Sequence, residues 1–316
     1  MIKWGIMGAG NIAHRFAESL SKTESGSLYA IANRTLEKAE AFQEKFSCEK
    51  IYDNYNQLIK DENVQIIYLS LPHKYHYEWV KAALLNHKSV LCEKPATMNA
   101  QQMQEIKTIA QQQGVLFMEA MKNRYVPVYD HIKEVIQQGT IGELTSLSSS
   151  LCKEIPIEHT TYHYLPEQGG CLLDLGIYNI GFLDGLIHEP LTVEQVDYEK
   201  GSYAIETYVN ATLKTNNLTV QIETAFDRNK PALATIIGEL GTITVENFHR
   251  PTSYTVQLDG QSPHRYESPF EGDDFSSEIK EAMFCLENNR IESHKMPLQS
   301  SLNCAQVIED IKSFIS

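Results

Sequence analysis

The chain is predicted to be an α/β protein in two parts. Residues 1–121 read as a doubly wound parallel sheet that binds a dinucleotide, and residues 122–316 as an α+β substrate-binding and oligomerisation domain with a large, mostly antiparallel open sheet. Three observations predict this. A glycine turn follows the first apolar run, strand and helix patterns alternate up to about residue 120, and β-branched runs separated by turn residues then replace the alternation.

Ile2 to Met7 reads as a short buried strand, and Gly8-Ala9-Gly10-Asn11-Ile12-Ala13 leads from it into a helical pattern, Ile12, Phe16, Leu20. This is the G-x-G-x-x-A form of the dinucleotide fingerprint, so the first part is expected to be a Rossmann domain. Gly8 makes the tight turn, Gly10 admits the backbone to a pyrophosphate, Ala13 permits close helix packing, and the free N–H groups of Asn11 and Ile12 face the phosphate charge. The next strand, Leu28 to Ala32, ends in Asn33-Arg34. That point lies about twenty residues past the turn, where an NAD enzyme carries an acid for the ribose hydroxyls. The acid is absent, and a guanidinium suits a 2′-phosphate, so NADP is favoured over NAD. A loop-capping surface arginine is the alternative for Arg34.

Further strands are expected at Val64 to Leu71, Ser89 to Cys92 and Val115 to Glu119, with helices over 36–46, 76–86 and 99–113. Ligands bind outside the carboxyl ends of such strands, so Lys94 in Glu93-Lys94-Pro95 leaves its strand facing the cofactor. The proline restricts the lysine backbone and aims its side chain. Beyond the helix over 126–138, strands are expected at 144–152, 203–213, 218–226, 233–237 and 242–245, and final helices over 275–287 and 298–314. The apolar helix after Gly169-Gly170 contains Asp174, a carboxylate that needs a partner there. Tyr178, four residues on, shares its face. Helix capping by Asp174 and core filling by Tyr178 are the alternatives.

The charge is −14, from 27 basic and 41 acidic residues, and no basic tract offers a footprint for nucleic acid or an anionic membrane. The six cysteines lack C-x-x-C spacing and read as thiols in a reducing compartment, with no metal site. With a strand beginning at residue 2 and no apolar run of spanning length, a cytoplasmic protein is expected.

Together these motifs resemble the Gfo/Idh/MocA family of NAD(P)-dependent oxidoreductases. The pieces are Gly8 to Ala13, Leu71-Pro72-His73 with His76-Tyr77-Glu78, Val90 to Pro95, Glu119-Ala120-Met121 with Arg124-Tyr125-Val126-Pro127, Gly139 to Glu143, and Gly169-Gly170 through Tyr178. Their order is most similar to the branch containing dimeric dihydrodiol dehydrogenase and NADP-dependent xylose dehydrogenase. The resemblance implies hydride transfer between nicotinamide and the hydroxyl or carbonyl carbon of a sugar, polyol or dihydrodiol-like molecule, with Lys94, Asp174 and Tyr178 as the catalytic set. It implies cofactor contacts from Ser70, Leu71, Pro72, His76, Glu93 and Arg124 beside Gly8, Ala9, Gly10, Asn11, Ile12, Asn33, Arg34 and Lys94, a satisfied structural histidine at the start of its helix being the alternative for His76. It also implies a homodimer or higher homo-oligomer. A dimer would bury the outer sheet face, to which Tyr203, Ile205, Thr207, Val209 and Ala211 are assigned by alternation.

Lys94 can stabilise a developing alkoxide, and a neighbouring ammonium stabilises a tyrosinate; Asp174 would orient Lys94 or bind a substrate hydroxyl. The chain departs from the branch at Lys122, where an aromatic residue is usual, at Cys171, where a third glycine is usual, and in the loop 158–166. That loop lacks an arginine and presents His159, Tyr162, His163 and Tyr164. Lys122 and His163 are therefore expected to meet the substrate, a solvated surface lysine being the alternative for Lys122. A non-catalytic dinucleotide sensor of the same fold, or an aldose-aldose oxidoreductase that retains its cofactor, are the alternative functions.

Overall fold

The computed structural model describes residues 1–156, 162–187, 189–201 and 203–315. The chain forms two compact units, Met1–Met121 with Glu271–Leu302, and Lys122–Phe270 with Asn303–Ser316.

The first unit is built on β1 (Ile2–Met7), β2 (Gly26–Ala32), β3 (Lys50–Tyr52), β4 (Ile66–Leu69), β5 (Ser89–Cys92) and β6 (Phe117–Glu119). They lie in the order β3-β2-β1-β4-β5-β6, and every pair is parallel. Between them run α1 (Asn11–Leu20), α2 (Leu36–Phe46), α3 (Tyr55–Lys60), α4 (His76–Leu85) and α5 (Ala100–Gln113). β4 and β5 are buried at every position, as strands covered on both faces must be. The strand order reverses between β1 and β4, which puts the glycine turn at the switch point. Hydrogen bonds step along this carboxyl edge from one strand exit to the next: Gly8 N–H to Ala32 O at 2.9 Å, Ser70 N–H to Met7 O at 3.0 Å, Glu93 N–H to Leu69 O at 2.9 Å and Ala120 N–H to Cys92 O at 2.7 Å. The short β3 and α3, absent from the expected elements, complete the edge beside β2.

The expectation that everything after residue 121 forms one domain needs correction. Residues 271–302 belong to the first unit, because the segment entering α8 (Ser276–Glu287) is anchored on α1. Arg15 pairs with Asp274 at 2.7 Å, Ser19 donates to Asp273, and Phe275 packs edge-on against Phe16 with ring centroids 6.3 Å apart. Burial of Phe275, Ile279 and Met283 is the driving force.

The second unit holds α6 (Pro127–Gln137), α7 (Ile177–Asp184) and an eight-stranded sheet. Its strands are β7 (Leu144–Cys152), β8 (Thr192–Lys200), β9 (Glu206–Lys214), β10 (Thr219–Ala225), β11 (Leu233–Gly238), β12 (Gly241–Glu246), β13 (Ser253–Leu258) and β14 (His264–Glu267). The order is β14-β13-β12-β11-β7-β10-β9-β8, and only β7 with β10 is parallel. The strands missed by sequence include the two edges. β8 is exposed at most of its positions and β14 throughout, so neither shows the apolar alternation of a half-buried strand. Helix α9 (Leu298–Ser313) begins in the first unit and continues in the second.

The assignment of Ile205, Thr207, Val209 and Ala211 to an open apolar face is also corrected. All four are buried, and the register places Val209 and Ala211 level with Thr224 and Ile222 on the helix-covered side. The opposite side is polar. Cross-strand neighbours Thr212, Gln221, Ser148, Thr235 and Thr244 form one continuous row across it. Alternation alone could not say which set faced the helices.

Candidate active site

In the first unit the candidate site residues begin at the glycine turn. Gly8 has φ +98°, and a Cβ there would come within 2.9 Å of Ser70 O. Gly10 is different: a Cβ on it would meet nothing within 4 Å. The chain itself therefore gives no steric reason for glycine at position 10, and the space a side chain would fill is the space a pyrophosphate needs. α1 has no side-chain cap, so the first-turn N–H groups of Asn11 and Ile12 point outward from its N-terminus. These residues fit a dinucleotide.

Asn33 does not present a free amide at the end of β2. Its Oδ1 accepts the Ala9 N–H at 3.2 Å and its Nδ2 donates to Thr35 O at 2.9 Å, so it braces the glycine turn. Arg34 is exposed and its guanidinium lies over the Tyr75 ring, 5.4 Å from the centroid. A stacked fork of donors at the end of β2 is suited to a phosphate oxyanion.

Lys94 follows β5, and its neighbours are held individually. The Glu93 carboxylate accepts from Tyr68 Oη at 2.5 Å, and the Ala96 N–H donates to Glu119 Oε1 at 2.8 Å. His76 takes its structural alternative. It is fully buried, with Nδ1 2.8 Å from Pro95 O and Nε2 2.6 Å from Leu71 O. Burial lowers the pKa of its ring below the ordinary histidine value, although both carbonyls and Glu93 act the other way. Burial also pushes the Cys92 thiol up, which keeps it protonated and unreactive beside the lysine.

In the second unit, Gly169 and Gly170 turn the chain into a π-helical turn, Leu172–Gly176, that runs directly into α7. Such turns are rare and concentrate at functional sites. Asp174 lies inside this turn and Tyr178 in the first turn of α7, both nearly buried at 9% and 8% exposed. Asp174 has the partner its surroundings demand: His163 Nε2 is 3.4 Å from its Oδ2. The His163 ring lies against Tyr162, at 3.9 Å between centroids, and meets Phe226 edge-on at 5.8 Å, and its carbonyl accepts the Gly170 N–H at 2.9 Å. The Tyr178 ring lies 6.3 Å from that of His249. Asn123 donates to Tyr178 O at 3.2 Å, which fixes the backbone that carries the phenol.

Cys171 stands where the family pattern has glycine and is packed on β10, its thiol 3.6 Å from Thr224 O. Lys122 is buried, at 6% exposed, which excludes the solvated surface alternative. Arg124 is corrected from its expected cofactor role. Its guanidinium is 2% exposed, donates to Gly181 O at 2.8 Å and pairs with Asp184 at 3.4 Å, a cation holding the carbonyl end of α7. His159 lies outside the described residues.

Sequence reasoning missed Asn123, His249 and Glu206. Glu206 is buried in β9, its pKa raised by burial, and its carboxylate occupies the place a Cβ on Gly170 would take. The one signal was an acid between Ile205 and Thr207 in a strand of apolar alternation. Among the described residues no cluster could hold a metal ion, and no helix is long and apolar enough to cross a membrane.

Comparison with known proteins agrees with this architecture. Residues 2–121 match the profile described as "Oxidoreductase family, NAD-binding Rossmann fold", and residues 129–244 match the GFO/IDH/MocA C-terminal domain. The chain is 31% identical to trans-1,2-dihydrobenzene-1,2-diol dehydrogenase of Mus musculus over 99% of its own length and 97% of the relative's. Its fold is shared with a 3-ketoreductase from Actinomadura kijaniata solved with NADP and TDP-benzene, at TM-score 0.89, 23% identity and coverage of 99% and 97% of the two chains. It is likewise shared with an aldose-aldose oxidoreductase from Caulobacter crescentus solved with glycerol, at TM-score 0.90, 19% identity and coverage of 99% and 96%. The chain belongs to the Gfo/Idh/MocA family of oxidoreductases. Its Rossmann unit is the family's NAD-binding domain.

Proposed function

We propose that this chain is an NADP-linked dehydrogenase or reductase of a sugar, polyol or dihydrodiol-like small molecule, with Lys94, Asp174 and Tyr178 as its reacting set. The observation that carries the reading is that Lys94 leaves β5 on the same carboxyl edge as a glycine turn whose Gly10 has open space where its side chain would be. The nicotinamide, when bound, supplies the hydride acceptor or donor. Everything else falls to the chain. Lys94 donates a hydrogen bond to the reacting oxygen and stabilises its developing negative charge. Tyr178 takes up or returns the hydroxyl proton. Asp174, held by His163, binds a neighbouring hydroxyl, and the buried Lys122 and His163 contribute to the substrate surface. The first-turn N–H groups of α1 and the exposed Arg34 hold the pyrophosphate and the 2′-phosphate.

The relatives support the substrate class, since the mouse protein is named for a dihydrodiol and the two solved neighbours are named a 3-ketoreductase and an aldose-aldose oxidoreductase. The 3-ketoreductase was also solved with a lysine replaced by alanine and with a tyrosine replaced by phenylalanine, the two residue types assigned here to the reacting oxygen. Purified protein is to be assayed with NADP and NAD against aldoses, polyols, dihydrodiols and dicarbonyls, following nicotinamide absorbance. NADP-dependent turnover of a polyhydroxy compound or its carbonyl partner is expected. Tight NADP binding without turnover across the panel would replace the enzyme by a sensor. The uncovered Ser/Thr row of the second unit's sheet supports a homo-oligomer, read by sedimentation, and the five buried thiols support a reducing, cytoplasmic setting.

A further inference from the structure

His76 belongs to α4, eighteen residues before the lysine, yet its ring closes a contact between two strand exits. One nitrogen meets Leu71 O at 2.6 Å and the other meets Pro95 O at 2.8 Å. Leu71 is in turn part of the surface on which the glycine turn rests: a Cβ on Gly8 would lie 2.9 Å from Leu71 Cδ2, and the adjacent Ser70 hydroxyl donates to Gly8 O at 3.2 Å. Pro95 is bonded directly to Lys94. A continuous line of contacts thus runs from the dinucleotide turn through Ser70 and Leu71 to His76, and from His76 to the residue that carries Lys94.

We infer that His76 is a positioning residue that fixes Lys94 relative to the glycine turn by bridging the exits of β4 and β5. The inference rests on the assignment of Lys94 to the reaction. Of the contacts that flank the lysine, Glu93 with Tyr68 and Ala96 with Glu119 tie it to the two neighbouring strands, β4 and β6. His76 is the one whose second nitrogen ends on the loop beneath the glycine turn. Both partners are carbonyl oxygens, so the neutral ring donates to one of them and packs against the other, donating to both only as the imidazolium; in either form one rigid plane spans the two backbones. An asparagine amide is too short to meet both, and a phenyl ring meets neither.

The test compares His76→Asn in the full-length protein with the same change made in Lys94→Ala, using the substrate identified by the panel. His76→Asn is expected to lower kcat by up to about 10²-fold, the scale of a small misplacement of a reacting group, with KM for the small molecule little changed. In the Lys94→Ala background, His76→Asn is expected to add no further loss to the residual turnover. Equal fractional losses in both backgrounds, or wild-type kcat in His76→Asn, would overturn the inference. Wild-type turnover in Lys94→Ala would instead overturn the lysine's role and this inference with it. If His76→Asn fails to fold, as read by circular dichroism, His76→Gln is carried through the same cycle. If the panel yields no substrate, reductive methylation of Lys94 followed by mass spectrometry decides: faster labelling in the variant supports the bridge, and an unchanged rate overturns it.

Discussion

A glycine pair precedes a helix in each unit, and Gly10 is glycine for a different reason from Gly169 and Gly170. At Gly169 and Gly170 the chain itself forbids a side chain. A Cβ on Gly169 would strike His163 O, and one on Gly170, where φ is +107°, would strike the Glu206 carboxylate. At Gly10, φ is −81° and the same added carbon meets nothing within 4 Å. Glycine in the second unit serves internal packing, whereas Gly10 leaves room for something that is not protein. Identical letters before a helix thus have different causes, and only the distances separate them.

The largest effect is expected at the two side chains assigned to the reacting oxygen, one beyond β5 and one on α7. Tyr178→Phe and Lys94→Met should each lower turnover, the former by about 10²–10⁴-fold with NADP affinity nearly unchanged. If the two act as a unit on one oxygen, the double variant will be little worse than the poorer single one. Wild-type turnover in Tyr178→Phe would remove the phenol from proton transfer.

The glycines themselves come next. Gly170→Ala should destabilise the protein by about 1–3 kcal/mol through its left-handed backbone alone, with the Glu206 overlap added, and calorimetry will read this as a lowered Tm. Gly10→Ala should leave the Tm of the free protein unchanged and weaken dinucleotide binding by about 1–3 kcal/mol, the usual cost of forcing a methyl group into a filled space. A Tm drop in Gly10→Ala as large as that in Gly170→Ala would erase the contrast.

Arg34→Ala is expected to reduce the preference for NADP over NAD by about 1.5–3 kcal/mol, because it removes a charge-assisted hydrogen bond to the 2′-phosphate at the mouth of the first glycine turn. Isothermal titration with both cofactors measures it, and an unchanged ratio would return Arg34 to its contacts within the protein, the Tyr75 ring and Tyr55.

The smallest effect contrasts the buried titratable groups beside each turn. His76, with Glu93 and Lys94 as its charged neighbours, has a lowered pKa in the folded protein. The unfolded chain binds a proton near ~6.5 that the buried ring resists, so this contribution to stability is present above that pH and is lost as pH falls. Glu206 behaves in the opposite sense: its raised pKa gives a contribution present at low pH and lost as pH rises through it. His76→Gln should therefore lose less Tm than wild type between about pH 7 and pH 5, and an equal or greater loss would reverse the sign assigned to the ring.

Much of the first unit was legible because its signals are local. The G-x-G-x-x-A turn, the apolar runs of β4 and β5 and the Glu93-Lys94-Pro95 exit each lie within a few consecutive residues, and the right-handed alternation of strand and helix leaves few ways to assemble them. In the second unit, Asp174 stood out as a carboxylate in an apolar helix that required a partner. Its pairing with His163 was not legible, because it depends on how the 162–170 turn folds back through Gly169 and Gly170.

What the sequence by itself determined is the fold class, the family and most of the buried elements, since periodicity and turn chemistry are written in neighbouring residues. What only the tertiary structure decided is the use of each polar group. Asn33 braces a turn, Arg124 holds a helix end, His76 bridges two strand exits, and the alternating residues of β9 face inward. The physical reason is that a buried donor or acceptor must find a partner wherever the fold brings one within about 3 Å. That partner is set by contacts between residues far apart in the chain.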